Sequence, residues 1–90
     1  MEKHKIKNIF FIKDKGLIII HLIEFNRDFK SYGTFYLCYA EQRIKMNYIG
    51  FGNHEGNPAL LLQLDDNRYN SINEIESEVK NTKRGYFLER

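Results

Sequence analysis

Two stretches of the sequence carry side chains able to move protons or hold phosphate. Arg27, Asp28, Lys30 and Tyr32 lie in the turn-rich segment 26–33, and His54 with Glu55 lies in the glycine-rich segment 50–58. An imidazole, a carboxylate and a guanidinium brought together are the materials of phosphodiester hydrolysis, with His54 as base and Arg27 as phosphate clamp. The same residue types also fill ordinary solvated loops, so Arg27, Asp28, Tyr32, His54 and Glu55 form a candidate site rather than a signature. His21 stands in the most apolar stretch of the chain and reads as a structural, partly buried imidazole. No spacing relates it to His4 or His54. Cys38 has no histidine placed beside it and reads as a small core or interface residue. Asp65-Asp66 reads as a turn. There is no phosphate-binding loop, dinucleotide fingerprint, nucleophile elbow or calcium loop, and no Cys/His spacing for zinc, so neither metal nor cofactor is expected.

A second candidate surface lies near the start of the chain. Strict alternation through the first apolar segment places Lys5, Lys7 and Lys13 on one face with Ile9 and Phe11. Cations around an exposed aromatic can dock an acidic protein surface. They can also bind a nucleic-acid backbone and stack a base, or guard a strand edge against aggregation. Lys5, Lys7, Phe11 and Lys13 are therefore the expected partner-binding residues.

The elements that must position these groups are mostly strands. Leu17-Ile18-Ile19-Ile20-His21-Leu22-Ile23-Glu24-Phe25 is apolar on both faces and β-branched in its first half, which favours a strand covered on both sides. Ile6–Lys13 precedes it, and Asp14-Lys15-Gly16 is the turn between them. Thr34–Ala40 alternates Phe35, Leu37 and Tyr39 against Thr34, Tyr36 and Cys38. After a tight turn at Glu41-Gln42, Arg43–Phe51 sends Ile44, Met46 and Tyr48 inward. Gly50–Pro58, with three glycines and the only proline, reads mostly as loop, and Ala59–Leu64 as the fifth strand. A helix follows. Ser71 and Glu74 fit a capping box, Ile72, Ile75 and Val79 recur at helical spacing, Glu76 and Lys80 stand four apart, and Gly85 suits the position after the helix. Tyr86-Phe87-Leu88 packs back or adds a short strand.

The expectation is an α+β fold: about five antiparallel strands in a meander, curling toward a barrel, with one C-terminal helix packed on one face. In that order segments 26–33 and 52–58 share one end of the sheet, and turns 14–16, 41–42 and 65–70 share the other. One helix covers one face only. The other must close on itself, meet a second sheet or meet another molecule, including a second copy in a homo-oligomer.

Composition narrows the function classes. Ninety residues make one domain, and the net charge of +2 is too small by itself to argue for nucleic acid. Seven Phe and six Tyr with no Trp give a rich aromatic supply, and abundant Ile, Asn and Lys resemble the product of an AT-rich bacterial or viral genome. A single cysteine favours a reducing, cytoplasmic compartment. The longest apolar run is too short to span a membrane, which takes roughly 20 residues, and it lacks the features of a signal peptide. The expectation is a small non-enzymatic cytosolic binding or inhibitor protein acting by protein–protein contact, such as an immunity-type or anti-defence accessory of a phage or mobile element. The alternatives are a single-stranded nucleic-acid-binding β-module and a small RNase-like toxin.

Overall fold

The computed structural model describes residues 3–24, 33–65, 72–82 and 85–90. Among the described residues there are six strands: β1 (Lys3–Ile12), β2 (Leu17–Leu22), β3 (Thr34–Tyr39), β4 (Gln42–His54), β5 (Asn57–Leu64) and β6 (Phe87–Glu89). One helix, α1, spans Ile72–Asn81. The strands close into an antiparallel barrel in the order β1-β2-β5-β4-β3-β6, with β6 pairing back to β1. Curling and the single helix are as the sequence implies. Closure solves the problem of a strand apolar on both faces. Ile18 and Ile20 of β2 are wholly buried inside the barrel, while its outer side is covered piecemeal by neighbouring side chains.

Sequence neighbours pair as expected in β1-β2 and in β3-β4-β5. β2 takes β5, not β3, as its second neighbour, with Ile19 opposite Leu61 and His21 opposite Ala59. Eleven residues separate β2 from β3, where a two-residue turn would have forced adjacency. The sixth strand is the short one that seals the ring. Its Leu88 points into the core and is wholly buried.

Local geometry follows the turn residues. Lys13–Lys15 forms a 3₁₀ turn ended by Gly16 in the left-handed region at φ 65°. The β3–β4 turn is Ala40-Glu41, one residue earlier than expected, with both φ values positive at 43° and 69°. Gly50–Pro58 is mostly strand rather than loop: β4 runs to His54, turns at Glu55-Gly56, and returns as β5. Glycine-rich strand survives here because a bulge between Tyr48 and Gly50 absorbs the irregularity. Pro58 lies beyond Ala59, the last β5 residue paired with β2, so its missing N–H breaks no bond on that side.

The core joins Phe35, Leu37, Met46, Leu60 and Leu62 to Ile72, Ile75 and Val79 of α1. Lys13 Nζ lies 2.6 Å from Glu76 Oε1, and the Tyr39 hydroxyl bonds Glu78, which sets the helix at the end of the barrel bearing the 13–16 and 40–41 turns. Glu76 also takes Lys80 at 3.2 Å, the expected i, i+4 pair. The helix ends before Gly85, whose φ of 80° instead turns the chain into β6. Ser71, the expected cap, lies outside the described residues.

Candidate functional site

A one-residue irregularity decides what the outer surface displays. Between Ile6 and Asn8 the β1–β2 register shifts, so Lys7 and Asn8 fall together and the alternation changes phase. Ile9 and Phe11 then pack against the core, and Phe10 takes the outer face opposite Ile19. The expected Lys/aromatic residues therefore do not share one face. Phe11 is an inward residue, and Lys13 is held by Glu76 of the helix. Lys5 and Lys7 are exposed, with Lys7 Nζ 3.4 Å from Asn57 Oδ1.

On the outer face, cross-strand register lines residues into rows. One row is Phe10, Ile19, Leu61 and Gly50, and the next is Asn8, His21, Ala59 and Gly52. The second row explains the central feature. Ala59 and Gly52 are small, so the ring of His54, at the end of β4, lies over them and reaches His21. His21 Nε2 and His54 Nδ1 are 2.9 Å apart, and Phe10 packs against both rings at centroid distances of 5.0 and 4.8 Å. His21 is only 1% exposed, and its Nδ1 is buried with no hydrogen-bond partner among the described residues. Its pKa is lowered, first by burial and then by His54 and Lys7, against an opposing pull from Glu55.

The tautomers follow from that orphan nitrogen. If His54 donated to His21, Nδ1 of His21 would carry a buried N–H with no acceptor among the described residues. If His21 Nε2–H donates, Nδ1 is a buried lone pair, the cheaper of the two. The second arrangement is therefore preferred, and it leaves His54 Nε2–H directed away from the pair.

Beside the pair lies a shallow groove of about 310 Å³, lined by Ile19, Gly50, Phe51, His54, Ala59 and Leu61 among others. Gly50 and Gly52 present no side chain, and a Cβ at either would meet nothing within 4 Å.

Of the expected loop site, His54 is half-buried against His21 and Glu55 is exposed at the turn. Arg27, Asp28 and Tyr32 lie outside the described residues. Asp65 follows β5, accepting from Asn47 at 3.1 Å and facing Lys45 at 3.4 Å. Cys38 is buried, and burial pushes its thiol pKa up, which keeps it a thiol. No cluster of three metal-ligating side chains occurs among the described residues. No helix among them is long and apolar enough to cross a membrane. The chain matches no protein-family model, no curated protein and no solved structure.

The sequence reading missed the His21–His54 contact. A signal for it existed: a polar group on an apolar strand needs a partner, and His54 stands on a segment assigned to the same end of the sheet.

Proposed function

We propose that this chain is a small non-enzymatic binding protein that acts by protein–protein contact through the outer face of β1, β2, β5 and β4. The groove walled by Ile19 and Leu61 carries the reading. It is apolar, open to solvent, and shaped by glycines that leave backbone where side chains would stand. The barrel interior is filled by its own side chains, so contact with a partner falls to the outside. An apolar anchor from a partner, set into the groove, removes both surfaces from water at about 25 cal/mol per Å². Lys7, beside the His54 end of the groove, favours a partner with acidic residues next to that anchor. An inhibitor or immunity-type accessory of a phage or mobile element is the concrete version, motivated by size and composition.

Capture from bacterial lysate, with and without nuclease, tests the reading on the wild type and on Leu61→Glu, a half-exposed position outside the core. The expected result is a stoichiometric protein that survives nuclease and is lost with Leu61→Glu. Capture abolished by nuclease would overturn the reading in favour of nucleic acid. A protein held equally well by Leu61→Glu would remove the groove.

A further inference from the structure

The His21–His54 contact joins elements that the backbone joins only through the sheet. His54 sits at the tip of the β4–β5 hairpin and His21 near the end of β2, with β5 between them. Only one proton lies in the contact when both rings are neutral, and the rings meet nearly head to head, at 2.9 Å between nitrogens and 5.1 Å between centroids. We propose that this pair is a proton-operated latch: one shared proton holds the tip of the β4–β5 hairpin down on β2, and a second proton releases it.

The argument is one of hydrogen-bond count. A second proton on His54 makes both its nitrogens donors. His21 can then accept at Nε2 only by moving its own proton to Nδ1, which places an N–H in a buried position with no acceptor among the described residues. A second proton on His21 instead puts a cation at a position 1% exposed, under Phe10. A charge-assisted bond from His54 offsets part of the first cost but leaves the orphan donor in place. Released, both rings reach water and accept protons freely. The other charged groups facing the pair, among the described residues, are Lys7 on β1 and Glu55 in the turn. Lys7 opposes the second proton and Glu55 favours it. From β1, Phe10 also packs on the His54 ring, and Lys7 Nζ reaches Asn57 Oδ1 across a long, exposed 3.4 Å.

Release also takes apart one end of the groove, since His54 lines it. That consequence rests on the binding reading; the latch does not, and it is tested without a partner.

Hydrogen exchange on the whole chain, as protection factors corrected for intrinsic rates, compares pH 8 with pH 5. Protection at residues 52–57 should fall about tenfold for each unit by which closure depresses the His21 pKa, while β3 and the middle of β5 keep theirs. His54→Gln keeps an acceptor for His21 Nε2–H but removes the second titrating ring, so its fall in protection between pH 8 and pH 5 should be smaller than that of the wild type. Nitrogen chemical shifts should show His21 as the Nε2–H tautomer at pH 8. Equal wild-type protection at the two pH values would overturn the latch. So would a pH step undiminished in His54→Gln, or His21 found as the Nδ1–H tautomer.

Discussion

Arg43 and Glu89 form a clamp across three strands. From β4, Arg43 reaches over β3, and its Nε and Nη2 each lie 2.9 Å from Oε1 of Glu89 on β6. The guanidinium lies 3.5 Å over the ring of Tyr36, the β3 residue paired with Glu89. The Glu89 side chain is 7% exposed and that of Arg43 is 47%, so the carboxylate is the partner that depends on the pair. Arg43→Ala should destabilise the barrel by about 1–3 kcal/mol, below the full cost of an orphaned buried charge because one side is open to water. Arg43→Lys should recover only part, since an ammonium neither stacks nor bonds through two nitrogens. Urea midpoints of the two variants at neutral pH check the order.

Stability should fall in two steps as pH is lowered. His21 has a folded pKa below its ordinary 6.5, so the unfolded chain takes up protons first. Its contribution is complete above about pH 6.5 and is lost as pH falls through the lowered folded value. Glu76 is held below 4.5 chiefly by Lys13 and then Lys80, and its contribution is lost below that range. Denaturant unfolding from pH 8 to pH 3 should show both steps, and His54→Gln should reduce the first while leaving the second.

Phe10 keeps water from the imidazole pair. Phe10→Ala opens that cover without entering the core, because Phe10 stands on the outer face. The His21 pKa should rise toward its ordinary value, by as much as burial now depresses it. A two-dimensional NMR titration of the ring protons reads the change. Ala59→Leu attacks the same contact from beneath, placing a branched side chain in the row between His21 and Gly52. It should part the two rings and raise the His21 pKa likewise.

The Ala40-Glu41 turn holds two non-glycine residues in the left-handed region. Each costs roughly 1 kcal/mol relative to a residue suited to that conformation. Replacing the pair with Asn-Gly, the sequence that two-residue turns of this hand favour, should stabilise the protein by about 1 kcal/mol. For a domain of this size that is a rise of about 4–8 °C in Tm, readable by calorimetry.

The alternation of Phe35, Leu37 and Tyr39 and of Ile44, Met46 and Tyr48 shows directly which way β3 and β4 face. Ile72, Ile75 and Val79 do the same for α1. These patterns are local, and the burial that enforces them is repeated every two or every three to four residues. What escaped is non-local or carried by one residue. Leu88 alone marks β6 as a core strand, and a single inward residue makes no period. The pairing of β2 with β5 depends on where a long connection goes, which composition does not encode. The β1 bulge shifts the phase by one position, and that moved Phe11 from the expected partner surface to the core. The His21–His54 contact required both the strand order and the small residues Ala59 and Gly52 in the row.

The seam at β6 has a kinetic consequence. Only three residues of β6 pair with β1, and three with β3, yet the β1 pairing joins Lys3 to Glu89, near opposite ends of the chain. Closing so long a loop costs more entropy than any hairpin in the ring, and few contacts are gained in return. Folding should therefore proceed through an open sheet of β1-β2-β5-β4-β3, with the ring completed late. Mutations at Leu88 should leave the folding rate nearly unchanged and speed unfolding, the behaviour of a contact absent from the transition state.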